Sequence, residues 1–270
     1  MKKGFKGFFN NLLEILSKPE MTVLPGQLAY FFILSLVPAA TIISYFASFL
    51  NLSTDDISSY LNITLSPTIV EMLTPVLQSG EFRIGLLFAL IVALYLVSNG
   101  TNSIIVAANN IYGIEQKPFI IRRAKALFMV LIILLLFLFI LVVPILGTFL
   151  LSLIEKATGY SEIYNIVNLF KMPFSWFVIF LFIKILYTIA PDKQIPSSHV
   201  NIGALFTSLL WILATELYLY YVGHFGRYGL YYGGLSNIAI LMIWMYILST
   251  IFVIGLAINY KEEDNYQEKP

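Results

Sequence analysis

Six apolar stretches, each long enough to cross a bilayer, constrain this chain more than any motif in it. They run roughly Leu28 to Leu50, Ile84 to Ile105, Ala126 to Leu153, Phe174 to Ala190, Ile202 to Val222 and Leu235 to Tyr260. The hydrocarbon core of a membrane takes about 20 apolar residues of helix to cross. Lipid offers backbone N–H and C=O groups no partner, so a spanning segment must satisfy them within itself, as a helix does. The expected fold is all-α: a polytopic six-helix transmembrane bundle over 28–260. A cytoplasmic or interfacial segment (1–27) precedes it and a charged cytoplasmic tail (261–270) follows.

Composition closes off several alternatives. The chain is 59% hydrophobic and 11% charged, whereas an ordinary soluble domain is about 25% charged. A water-facing surface cannot be assembled from that inventory. Net charge is +1, and a nucleic-acid partner would normally demand a basic face. The absence of cysteine removes disulfides, thiolate nucleophiles and Cys-based metal sites. His199 and His224 are too few and too far apart for a histidine-rich centre. No metal, cofactor or nucleic acid is expected; the lipid bilayer is the expected partner, and oligomeric state is not legible.

Near the start, Lys2, Lys3 and Lys6 precede apolar residues, but Asn10, Asn11 and Glu14 interrupt the run and no small-residue cleavage site follows. Phe5, Phe8, Phe9, Leu12, Leu13, Ile15 and Leu16 fall mainly on one helical face. That pattern fits an amphipathic helix in the cytoplasmic interface, or equally one packed on the bundle.

Positive charge resists translocation, so Lys and Arg mark the cytoplasmic side. Lys2, Lys3, Lys6 and Lys18 precede the first span; Lys117, Arg122, Arg123 and Lys125 separate the second from the third. Lys193 lies between the fourth and fifth, and Lys261 and Lys269 follow the sixth. Opposite them Asp55, Asp56, Glu71, Glu81, Glu155 and Glu162 outnumber Arg83, Lys156, Lys171 and Arg227. Both termini are therefore expected in the cytoplasm, and an even number of spans agrees in placing them on one side. The first outer loop, 51–83, is expected to hold a short helix begun by Ser66 and Pro67. The tail from Lys261 is expected to be disordered.

Polar residues inside apolar stretches are the candidates for function. A helix from Arg83 to Tyr112 would be about 45 Å long and would overshoot the hydrocarbon. Ser98, Asn102 and Asn109 fall on one face of it, with Asn99, Ser103 and Asn110 beside them. Such a stripe lines a hydrated cavity, grips a headgroup, or bonds helix to helix. Lys184 and Glu216 are the ionisable residues well inside predicted spans. Charge facing lipid is costly, so both are expected to point inward, paired directly or through a ligand, unless Lys184 snorkels. Before the last span, Gly223 to Gly234 holds five glycines with Arg227 and Tyr228, a candidate outer mouth or a plain aromatic belt. Pro38 and Pro144 interrupt the first and third spans. No paired carboxylates lie inside the expected spans, no metal-ligand cluster appears and no phosphate-cradling glycine loop opens a soluble helix, so no catalysis is expected.

The stretch Gln27-Leu28-Ala29-Tyr30-Phe31-Phe32-Ile33-Leu34-Ser35-Leu36-Val37-Pro38 resembles the first-span signature of the YihY/BrkB membrane proteins. Ala107-Ala108-Asn109-Asn110-Ile111-Tyr112-Gly113, followed by Arg122-Arg123, is similar to that family's second-span exit. So are Leu186-Tyr187 leading to Pro191, Tyr228-Gly229, the span containing Trp244, and the ending Gly255-Leu256-Ala257-Ile258-Asn259. Many members carry an acidic residue near that ending and this chain does not, so no acidic role is carried over. The resemblance implies a six-helix bacterial inner-membrane protein. Some members were once labelled ribonuclease BN, others a serum-resistance virulence factor, and handling of envelope lipids has been suggested. The ribonuclease label fits poorly with a chain lacking metal ligands and a basic face. The expected function is transport or flipping of an amphipathic envelope molecule such as a lipid; the alternative is a non-transporting scaffold for envelope biogenesis.

Overall fold

The computed structural model describes residues 17, 23–34, 70, 74, 84–133, 135, 162–225 and 234–267. The expectations for an N-terminal amphipathic helix, for Ser66 and Pro67, for Pro38 and Pro144, and for Arg227 and Tyr228 lie outside those residues. Regular structure among the described residues is entirely helical. We label the helices α1 (Val23–Leu34), α2 (Ile84–Ile111), α3 (119–133), α4 (Glu162–Ile189), α5 (Asn201–Phe225) and α6 (Gly234–Gln267). Within α5 and α6, Asn201–His224 and Ile238–Tyr260 are long and apolar enough to cross a membrane. Between α1 and α2, Val70 and Thr74 are helical, and the Thr74 hydroxyl donates to the Val70 carbonyl at 2.8 Å.

Several boundaries differ from those read off the sequence. The second apolar stretch, Ile84 to Ile105, belongs to one helix that overshoots it as expected, reaching Ile111 rather than Tyr112 as a rod about 42 Å long. It stops at Gly113, whose φ of 63° is the left-handed conformation glycine adopts without steric cost. The Ile114 N–H then reaches back to the Asn109 carbonyl at 2.8 Å, closing a Schellman-type end. Helix α3 begins at 119 rather than at Ala126, because Pro118, which has no N–H to satisfy, suits a helix start. Its carbonyl accepts from the Arg122 N–H at 3.1 Å. Helix α4 starts at Glu162 rather than Phe174 and carries Pro173 inside it. The tail is not disordered from Lys261: α6 runs on through Lys261, Glu262, Glu263 and Asp264 to Gln267. Glu, Lys and Gln are good helix formers, and extending an existing helix avoids the cost of a new nucleus.

Helices α5 and α6 pack antiparallel, and their contact is a ladder of small and polar groups. At the lowest rung a β-carbon on Gly203 would collide with the Gly255 carbonyl oxygen and with Asn259 Oδ1. A β-carbon on Gly255 would strike Thr207 Oγ1 and the Tyr187 hydroxyl. Small residues let helix backbones approach closely where lipid supplies no hydrophobic drive. Above them the Trp211 indole N–H donates to the Leu248 carbonyl at 2.9 Å, and Tyr218 stacks on Trp244 with centroids 4.6 Å apart. Tyr187 of α4 enters this ladder fully buried. Its hydroxyl donates to the Phe252 carbonyl at 2.7 Å, so the Thr207 hydroxyl, also 2.7 Å away, supplies the proton between those two.

The distribution of polarity is reversed relative to a water-soluble protein. Ser98, Thr101, Ser103, Asn109, Thr207, Ser208, Ser249 and Asn259 are buried. Outside stand Ile202, Leu205, Leu209, Leu213, Leu217 and Tyr220, one continuous stripe along α5, with Phe174, Phe177 and Leu181 on α4. Exposed apolar surface this extensive marks contact with a membrane or a partner.

Candidate functional site

The most connected polar cluster lies where α2 ends, α3 begins and α4 gives way to α5. Asp192 directly follows Pro191, which cannot continue α4. Asn109, in the last turn of α2, matches it group for group. Its Oδ1 accepts from the Asp192 backbone N–H at 2.9 Å, and its Nδ2 donates to Asp192 Oδ2 at 2.8 Å. The other carboxylate oxygen receives Lys125 Nζ at 2.6 Å and faces Lys117 Nζ at 3.6 Å. Lys125 also donates to the carbonyls of Ala190 and Pro191 at 2.8 and 2.9 Å, so all three of its protons are placed. It thereby caps the C-terminal end of α4, where cations are favoured.

Gln116 completes the cluster from the α2–α3 loop. Its Oε1 accepts from Asn109 Nδ2 at 3.2 Å, and its Nε2 donates to Asn110 Oδ1 at 3.1 Å. The Asp192 side chain is 1% exposed. Burial alone pushes its carboxyl up, but the hydrogen bonds from Lys125 and Asn109 and the charges of Lys125 and Lys117 outweigh this. Together they hold it below its ordinary value.

The sequence-predicted residues fare unevenly. Ser98, Asn102 and Asn109 do share α2, yet each is engaged. The Ser98 hydroxyl donates to the Tyr95 carbonyl at 2.7 Å, and Asn102 Oδ1 accepts from Arg122 Nε at 2.9 Å. Asn99 Oδ1 accepts from an Arg123 terminal nitrogen at 2.7 Å, while that guanidinium sits 3.8 Å from the Tyr95 ring centre. The Thr101 hydroxyl lies 2.9 Å from the Ala126 carbonyl. Asn102, with Asn99 and Thr101 beside it, thus forms the seam between α2 and α3, whereas Ser98 bonds within its own helix and Asn109 meets Asp192 and Gln116.

Glu216 is exposed rather than inward-facing. It lies two residues from Tyr218, roughly 200° around the helix from the face that meets α6, and beside the outward Leu213 and Leu217. Lys184 is half-buried at the edge of the outward face of α4. Lys184 and Glu216 form no ion pair with each other among the described residues. Asp192, Lys125 and Gln116 were missed by sequence reasoning. The available signal was an isolated carboxylate directly after an apolar helix, on the side that otherwise gathers Lys and Arg.

With this geometry in place, comparison with known proteins becomes informative. A family described as Virulence factor BrkB matches residues 12–270. The chain belongs to the BrkB family. Among BrkB relatives, the ribonuclease-like protein YfkH of Bacillus subtilis is 31% identical over 241 residues, 87% of each chain. A UPF0761 membrane protein of Pseudoalteromonas atlantica is 29% identical over 261 residues, 92% of this chain and 83% of its own. One from Vibrio campbellii is 28% identical over 266 residues, 95% of this chain and 82% of its own. No solved structure matches the chain. The BrkB chain is a membrane protein, in keeping with its apolar exterior, and the resemblance seen at Gln27–Pro38 and Ala107–Gly113 identified the right family.

Proposed function

We propose that this BrkB chain spans the bacterial inner membrane six times with both termini in the cytoplasm, and that it moves an amphipathic envelope molecule between leaflets. One observation carries the reading. A charged recess, built around Asp192 and Lys117, adjoins a helix start whose Phe119, Ile120 and Ile121 are 54–80% exposed. Cargo with a polar head and apolar tails needs that juxtaposition of charge and lipid-facing carbon. The scaffold reading draws on a different observation, since Asn99, Thr101 and Asn102 spend their polar atoms on α3, as a sealed bundle would require. The ribonuclease-like name of YfkH suits this chain poorly, because a net charge of +1 supplies little electrostatic attraction for a polyanion.

Reconstitution separates the two readings. Liposomes carrying the purified chain and a headgroup-labelled lipid should lose outer-leaflet label asymmetry faster than empty vesicles. Equal rates would leave the scaffold reading standing and end the transport one.

A further inference from the structure

A recess of about 360 Å³ opens at the junction of the α2–α3 and α4–α5 loops, lined by Lys117, Lys125, Thr188, Asp192, Lys193 and Gln194 among others. Three ammonium groups and one carboxylate leave it two charges positive. The four are not equivalent. The Asp192 side chain is 1% exposed and already bonded to Lys125 and Asn109. Lys125 is 19% exposed and has all three protons committed to Asp192, Ala190 and Pro191. Asp192 and Lys125 therefore form the floor. Lys117 is 48% exposed and stands 3.6 Å from the carboxylate, beyond good hydrogen-bond length. Lys193 is exposed as well. These two bring positive charge to the mouth.

What borders the mouth fixes the class of ligand. Lys117 is followed by Pro118 and then by Phe119 and Ile120, which are 62% and 80% exposed. A helix start surrounded by water gains nothing by presenting two consecutive large apolar side chains, whereas one at the lipid boundary does. Basic pockets between membrane helices suit anionic headgroups, each nearby Lys adding attraction. We infer that this recess holds the phosphate-bearing headgroup of an anionic membrane lipid, with Lys117 and Lys193 as its cationic contacts and the acyl chains lying against Phe119 and Ile120. The inference deepens the proposed function by naming a lipid class, and it rests on that reading's placement of these loops at the membrane surface. It does not require transport.

The test is lipid binding to the full chain in detergent, counted by native mass spectrometry with phosphatidylglycerol and phosphatidylcholine as probes. Wild type should retain phosphatidylglycerol preferentially, and K117Q/K193Q should bind it about tenfold more weakly. K117R/K193R should restore binding, which separates charge from packing. Unchanged affinity in K117Q/K193Q overturns the inference, as does equal loss in K117R/K193R. Displacement of the lipid by millimolar inorganic phosphate would make the recess a soluble-phosphate site and overturn it too. Vesicles that fail to scramble while the lysine-dependent binding persists would count against transport alone.

Discussion

Asp192 is held by three residues at once, Asn109, Lys125 and Lys117, so its protonation governs a junction of three helices. Its folded-state pKa lies below the ordinary carboxylate value, and a group of that kind stabilises the fold fully above its unfolded pKa. The contribution is lost as pH falls through the depressed folded value. Thermal unfolding in detergent should therefore show no Asp192-dependent change between about pH 7 and pH 5 and a steepening loss below about pH 4. Asp192→Asn should remove that acid limb and cost about 2–3 kcal/mol at neutral pH, since Lys125 keeps some access to water. Gly255 makes a steric case of the same scale. Gly255→Ala must push Thr207 or Tyr187 aside, and overpacking of this sort costs about 1–3 kcal/mol, to be read as a lowered melting temperature. Neither role was legible in the sequence. A lone aspartate after a proline and a glycine in an apolar run acquire meaning only once a distant helix is brought against them.

At the scale of elements, α2 and α3 form a hairpin stitched by polar side chains. Arg122 and Arg123 reach back to Asn102 and Asn99, turn over turn. A double-mutant cycle on Asn102→Ala and Arg122→Ala should give a coupling of about 0.5–2 kcal/mol, measured by unfolding in detergent; additivity would show that the seam is held by packing alone. The length of α2 was legible, because its polar stripe extends one face well past the apolar core. The direction in which that stripe points was not. A run of Asn, Ser and Thr carries the same periodicity whether it meets water, a headgroup or an arginine on the next helix. Some helix ends were read closely, as at α2, expected to reach Tyr112 and found to end at Ile111. Others were misjudged where apolar count alone was used: α4 begins twelve residues before Phe174 and α6 continues past Tyr260.

Among the described residues many large apolar side chains stand outward while Ser98, Asn109, Thr207 and Asn259 are buried, and this accords with the composition. With 59% hydrophobic residues, no burial scheme could hide the apolar surface from water, so lipid had to be the solvent. The expected number of spans rests on the apolar stretches and their expected orientation on the Lys and Arg pattern. Impermeant thiol labelling of single cysteines placed at residue 4 and at residue 268 should leave both unreacted in intact spheroplasts and labelled after lysis. Reaction of either one beforehand would refute the threading. One contact also constrains assembly. The Gly203 N–H, in the first turn of α5, is satisfied by the Asn259 side chain of α6, 56 residues further on. Val200, at the cap position, has no oxygen in its side chain to do it. The fifth segment thus leaves the ribosome with its opening turn incomplete, and only the arrival of the last one finishes it: a chain cut short before Asn259 would insert its helices yet never lock them.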